Sequence, residues 1–237
     1  MCCNLPTRYS GTMKSRTRPG SPPDSSTHLG RLRLLDPSAA ERVPGIRVLI
    51  VNSMAMWICA FMATSINVAL PPIQAELSLS AVTLGWVPLA YMLSSAALLV
   101  PFGKIADLFG RRLVYLAGLA VFALSSLGLV FVGSYMPLIL LRVGQGVGGA
   151  LMFATSTAMV TLAYPPGRRG RAMGILVACV YMGQAMGPVV GGVLTFNIGW
   201  RALFLFAAVY GFAVFFLDLV LLRRAEWAEP FSRFDWK

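Results

Sequence analysis

An acidic residue framed by glycines and followed by two arginines is the first group in this sequence that could do chemistry: Gly103-Lys-Ile-Ala-Asp107-Leu-Phe-Gly110-Arg111-Arg112. Glycine allows close approach or a positive φ, and a carboxylate among bases can meet a helix end. The segment reads as a tight polar turn. A plain charged loop would account for the arginines but not for two glycines around an acid. Arg142, Gln145 and Gly146 form a second set, within Leu141-Arg-Val-Gly-Gln-Gly-Val-Gly-Gly-Ala150. Its Gly144, Gly146 and Gly149 match the G-x-G-x-x-G spacing of a dinucleotide site. Yet no strand leads in, and Arg168 and Arg169 stand about 20 residues on, where such a site needs an acid. These glycines read instead as a small-residue face for close helix packing. A third set, Gly183-Gln-Ala-Met-Gly187-Pro188-Val-Val-Gly191-Gly192, places glycines on one helix face with a bend-inducing proline among them.

Catalysis needs more than this. With a lone histidine, His28, and nine acids in 237 residues, no Ser/His/Asp, Cys/His or paired-carboxylate arrangement can be assembled, so the chain does not read as an enzyme. The four cysteines, Cys2, Cys3, Cys59 and Cys179, have neither metal-ligand spacing nor the pattern of a disulfide framework. No metal and no cofactor is implied. A formal charge of +11 would suit nucleic acid if the bases shared a polar face, but they lie in short clusters between apolar runs, which argues against that partner.

The elements that hold these residues must live in lipid. Apolar residues make up 57% of the chain and charged ones 12%, where a soluble domain carries roughly 25% charged. Mean hydropathy is +0.72, more apolar surface than such a chain can hide from water. Six apolar runs can be drawn, over 48–70, 84–102, 113–132, 137–163, 173–198 and 202–222. Each is near the ~20 residues that cross a hydrocarbon core about 30 Å thick. Every backbone polar group in lipid must be paired within its segment, so these runs are helices. Residues 1–47, rich in Pro, Ser, Thr and Arg, read as a disordered basic tail, and 223–237 as a polar link. The first apolar core begins too late for a cleaved export signal, so the first span is a retained anchor.

Lys and Arg fall on alternate connections. Eight precede the first span; Lys104, Arg111 and Arg112 lie between the second and third; Arg168, Arg169 and Arg171 between the fourth and fifth; Arg223, Arg224, Arg233 and Lys237 after the sixth. The intervening connections hold only Arg201. Positive charge marks the cytoplasmic side, so both termini are expected there, with the basic clusters beside anionic headgroups. Arg142 lies about five residues, some 8 Å, inside the outer end of its run. It either faces an internal cavity or snorkels to the outer interface. Asp218, one turn from Arg223, suits an interfacial ion pair or a transport role.

The three sets, G-x-x-A-D-x-x-G-R-R, R-x-x-Q-G-x-G and G-x-x-x-G-P-x-x-G-G, resemble signatures of the major facilitator superfamily, and they fall in the expected spans and order. The third is similar to the motif of its antiporters. Asn67-Val-Ala-Leu-Pro71 is similar to the end of the first helix in the fourteen-helix drug:proton antiporter branch. The resemblance covers 48–237. It implies an all-α membrane protein, a six-helix bundle of two inverted three-helix repeats, forming the N-terminal half of a proton-coupled multidrug or small-molecule exporter that works by alternating access. Gly103, Asp107, Gly110, Arg111 and Arg112 would form a conformational-switch loop, Asp107 docking on the opposite bundle and the arginines making local ion pairs. Arg142, Gln145 and Gly146 would line a cavity or proton pathway, and Gly183, Gly187, Pro188, Gly191 and Gly192 would mark the antiporter helix. One departure is plain: the branch often carries an aspartate before N-V-A-L-P, and here Phe61-Met-Ala-Thr-Ser-Ile66 contains no acid.

The partners implied are the lipid bilayer of the cell membrane, a small-molecule substrate, protons, and a complementary six-helix half or a second copy of the chain. Residues 223–237 look like the link into a seventh helix, as if the chain broke off there. The faces carrying Asp107 and residues 183–192 are then expected to be covered by a second bundle. An inactive or regulatory membrane remnant and a six-helix uptake carrier are the other readings.

Overall fold

The computed structural model describes residues 45–222, and these form six helices. They are α1 (Gly45–Leu77), α2 (Ala81–Phe109), α3 (Arg111–Val130), α4 (Tyr135–Ala163), α5 (Pro166–Asn197) and α6 (Arg201–Leu221). The link over 223–237 and all of the expected tail except residues 45–47, which begin α1, lie outside the described residues. Each helix is long and apolar enough to cross a membrane. At 1.5 Å per residue they measure about 30 to 50 Å, so the longer ones overrun the ~30 Å hydrocarbon core and project their polar ends.

Several ends differ from the apolar runs. α1 continues through Pro71 and Pro72 to Leu77. The carbonyls that those prolines leave without helical donors belong to Asn67 and Val68, both exposed, so the ladder can lose two bonds there without burying an unpaired group. The polar turn expected across 103–112 shrinks to one residue. α2 carries Asp107 and runs to Phe109, α3 begins at Arg111, and Gly110 between them sits at φ 94°, ψ 126°. An L side chain rarely adopts that backbone, so glycine makes the sharp turn possible. Gly110 N donates to Ala106 O at 3.1 Å, closing α2, and Gly110 O accepts from Val114 N at 3.2 Å, opening α3. α5 likewise starts at Pro166, a residue suited to the first turn because it lacks the N–H that would go unpaired. Arg168, Arg169 and Arg171 therefore belong to its first turns rather than to a loop.

The helices alternate in direction, so the start of α1, the α2–α3 and α4–α5 turns and the end of α6 share one rim, the basic one. α1 packs most extensively on α5, α4 on both α2 and α3, and α3 on α6. Small residues permit these approaches. A Cβ on Gly148 of α4 would lie 2.6 Å from Phe122 N of α3, and one on Gly118 of α3 would lie 2.8 Å from Leu151 Cβ of α4. α1 is the interior helix, 67% of its apolar stretch being buried, whereas 17% is buried in α2 and in α5. Those two helices carry the broad open flanks.

Candidate functional site

The signature residues divide between two partners. Asp107, at the exposed end of α2, pairs with Arg111 one turn on: Arg111 Nη2 lies 3.0 Å from Asp107 Oδ1, and Arg111 Nε donates to the same oxygen at 3.1 Å. The Asp107 side chain is 63% exposed, so this carboxylate remains open to a further contact. Arg112 points the other way, into the bundle. Its Nη2 lies 3.3 Å from Asp218 Oδ2 on α6, and its Nε 3.4 Å from the same oxygen. Asp218 is fully buried, and its Oδ1 has no hydrogen-bond partner. The expected neighbour of Asp218, Arg223, lies outside the described residues; Arg112 is the partner the structure provides. Of the three carboxylates in the described residues, Glu76, Asp107 and Asp218, only Asp218 is buried.

Arg142 is also fully buried. It neither snorkels to an interface nor lies on an open face of the bundle, because a polar and aromatic shell replaces water around it. Its Nη1 donates to Gln145 Oε1 at 2.6 Å and its Nε to Val87 O at 3.2 Å. The guanidinium stands over the Tyr91 ring at 5.1 Å and near the Phe204 ring at 5.9 Å. Cation–π attraction grows when the pair is desolvated, which suits an arginine in this setting. Gln145 Nε2 donates onward to Ser126 Oγ at 2.8 Å, so one chain of bonds joins α2, α4 and α3. Arg142 Nη2 alone is left without a partner. Gly146 makes room for the arrangement: a Cβ there would collide with Ser94 Oγ and with Tyr91 O of α2.

The glycines of α5 are not on its open flank. Gly183, Gly187 and Gly191 are buried against α1: a Cβ would strike Trp57 O at Gly183, Thr64 Oγ1 at Gly187, and Ser65 Cβ, 2.7 Å away, at Gly191. Thr64 Oγ1 adds a 3.0 Å bond to Gln184 O. The expectation that a second bundle covers this glycine face is corrected: α1 covers it, because only glycine lets the two backbones meet at this separation. Pro188 is exposed and Gly192 half-buried, beside that seam.

One cluster escaped the sequence reading. At the rim opposite the signature, Trp200 Nε1 donates to Glu76 Oε2 at 2.7 Å, Arg201 Nη1 lies 2.7 Å from Glu76 Oε1, and Arg201 Nη2 donates to Val132 O at 2.8 Å. Arg201 also stands over the Trp200 ring at 4.3 Å. The sequence offered a hint, since Arg201 was the single base on an otherwise bare set of connections. No group of three or more metal-ligating side chains occurs among the described residues.

Comparison with known proteins gives this geometry a family. The tetracenomycin C resistance and export protein of Streptomyces glaucescens is 32% identical over 207 residues, 84% of this chain and 38% of that protein. The cephamycin export protein CmcT of Amycolatopsis lactamdurans is 37% identical over 183 residues, 76% of this chain and 38% of its own. The chain thus spans about two fifths of the length of these relatives. Among solved structures, a bacterial homolog of the human lysosomal transporter Spinster, in an inward-facing, unoccupied conformation, superposes with a TM-score of 0.65 at 23% identity, covering 76% of this chain and 43% of that one. That likeness supports the fold of the six helices. The Major Facilitator Superfamily pattern matches residues 53–234, and the chain, a membrane protein with six candidate spans, belongs to that superfamily of transporters.

Proposed function

We propose that the six helices form one half of a proton-coupled exporter of multidrug or small-molecule substrates, both termini on the cytoplasmic side, working by alternating access against a second six-helix bundle. The observation that carries this reading is the open flank of α2 and α5, with the exposed Asp107 at its basic end. In this reading Asp107 leaves Arg111 to dock on the second bundle in one state and returns to it in the other, while Gly110 is the turn about which α2 and α3 hold their angle. Export is favoured over uptake by two relatives, which are named as export proteins for tetracenomycin C and for cephamycin. The two inverted three-helix repeats fit the packing, in which α1 lies on α5 as α4 lies on α2. Asp218, as the buried carboxylate, and Arg142 with Gln145 are the groups on which a proton pathway would draw, in place of the absent span-one acid.

A dye-efflux assay tests the proposal. Proteoliposomes containing this chain alone, loaded with a lipophilic dye and given a pH gradient, are expected to show background efflux. Co-reconstitution with the second bundle of the cephamycin exporter is expected to raise it, and Asp107→Asn to abolish the gain. Robust efflux by the lone chain that Asp107→Asn abolishes overturns the two-bundle reading; a co-purifying pair that moves no dye overturns export.

A further inference from the structure

α1, α5 and α6 enclose an apolar crevice of about 450 Å³ that the arrangement above does not use. Ile50 and Trp57 of α1, Ile175 and Cys179 of α5, and Tyr210 of α6 form its walls. It exists because α5 and α6 rest on α1 but hardly touch each other, which leaves a strip of the otherwise interior helix uncovered. Ile46 and Ile50 are accordingly 55% and 45% exposed. The crevice starts at the basic rim, since Ile46 is the second residue of α1 and Ile175 lies in the third turn of α5.

Two features give it a chemistry beyond grease. Ser53 lines the crevice, is 8% exposed, and its Oγ has no hydrogen-bond partner. A buried hydroxyl left unpaired is uncommon in proteins and calls for an acceptor. At the mouth, Arg47 precedes Ile50 by three residues and Arg171 precedes Ile175 by four, so each arginine sits one helical turn outward on the face that lines the crevice. Both are exposed and make no ion pair with any described residue. A pair of bases thus tops an apolar slot in which the one buried, unpartnered hydroxyl among the lining residues is that of Ser53.

We propose that the crevice binds an acidic phospholipid: one acyl chain in the slot, the phosphate between Arg47 and Arg171, and an ester carbonyl accepting from Ser53 Oγ. Ser53 lies six residues beyond Arg47, about 9 Å deeper along the helix axis, which is the side of the phosphate on which the ester carbonyls lie. Basic pockets between helices at the membrane face recognise anionic headgroups in this way. The crevice wall carries no charge, so the chain selects for apolarity and the rim for negative charge. This site stands on the membrane location of the helices and not on the export reading.

Trp57 in the crevice wall supplies the readout. The full chain is reconstituted in phosphatidylcholine vesicles, and phosphatidylglycerol or phosphatidylcholine with brominated acyl chains is titrated in. The Trp57 signal is taken as the difference between the wild type and Trp57→Phe. Two arginines at the surface predict that brominated phosphatidylglycerol quenches at a mole fraction about thirtyfold lower than brominated phosphatidylcholine. The Arg47→Gln/Arg171→Gln double variant is expected to bring the two lipids together, and Cys179→Phe, which fills the slot, to remove the quenching by both. Equal quenching by the two lipids in the wild type, an unchanged preference in the double variant, or undiminished quenching in Cys179→Phe each overturns the proposal. Because the assay involves no transport, its failure leaves the exporter reading untouched, and the converse holds.

Discussion

Removing either partner of the Arg112–Asp218 pair should have unequal effects, and the inequality tests whether the pair is as buried as the structure makes it. Asp218 is fully buried and depends on Arg112 alone, its other oxygen being unpartnered. The Arg112 side chain keeps 21% of its surface exposed. Arg112→Gln therefore strands a buried carboxylate, a lesion of about 3 to 5 kcal/mol when both groups are fully buried. The partial exposure of Arg112 reduces this to about 2 to 3 kcal/mol, since the existing bond is already screened from one side. Asp218→Asn leaves a neutral amide whose oxygen can still accept, and an arginine that can turn toward water, so about 1 kcal/mol is expected. In the double variant no charge is stranded, and its cost should stay near that of Asp218→Asn, giving a coupling energy of roughly 2 kcal/mol. The assay is equilibrium unfolding of the detergent-solubilised chain, titrated with dodecyl sulfate and followed by helical circular dichroism. Additivity of the two single variants to within about 0.5 kcal/mol, or equal losses in both, would refute the reasoning.

Three further outcomes can be checked in the same assay. Gly110→Ala meets no atom within 4 Å but must hold a φ of 94°, so its loss is purely conformational, about 1 to 3 kcal/mol; a neutral result would show that the turn relaxes. Gly187→Leu drives a side chain into Thr64 and the Phe61 carbonyl of α1 and should destabilise the fold by at least about 3 kcal/mol, whereas Gly192→Ala, whose nearest neighbour is Val68 Cγ1 at 3.6 Å, should behave as wild type within about 0.5 kcal/mol. Gln145→Leu removes the 2.6 Å bond to Arg142, and a charged donor left unpaired in the interior should lose about 1.5 to 3 kcal/mol; Gln145→Glu, which keeps the acceptor, should recover most of it.

Span number and approximate extent were legible in the sequence because hydropathy acts locally: about 20 consecutive apolar residues leave lipid as their solvent and a helix as their form. Helix ends were less so. α1 outruns its apolar run because Pro71 and Pro72 open the ladder only at the exposed residues Asn67 and Val68, and α2 absorbs Asp107 because one glycine suffices for the turn. The glycine spacing of α4 and α5 correctly indicated close packing, but spacing along one helix does not say which neighbour approaches. Thus the α5 glycines meet α1, where the sequence reading looked for a second bundle. Pairings remote along the chain were not legible: Asp218 with Arg112, and Glu76 with Trp200 and Arg201, follow from helix arrangement. A buried acid demands a counter-charge, but sequence proximity pointed to Arg223.

The two remote ion-pair clusters also act together mechanically. α6 is fastened to α3 at the signature rim by Arg112 and Asp218, and at the far rim by Arg201 on the carbonyl of Val132, just past the end of α3. Two rods joined at a single point can scissor; rods clamped at both extremities behave as one beam. A tilt imposed on the α2–α3 turn is then expected to carry to the opposite membrane face about 30 Å away, α3 and α6 moving as one.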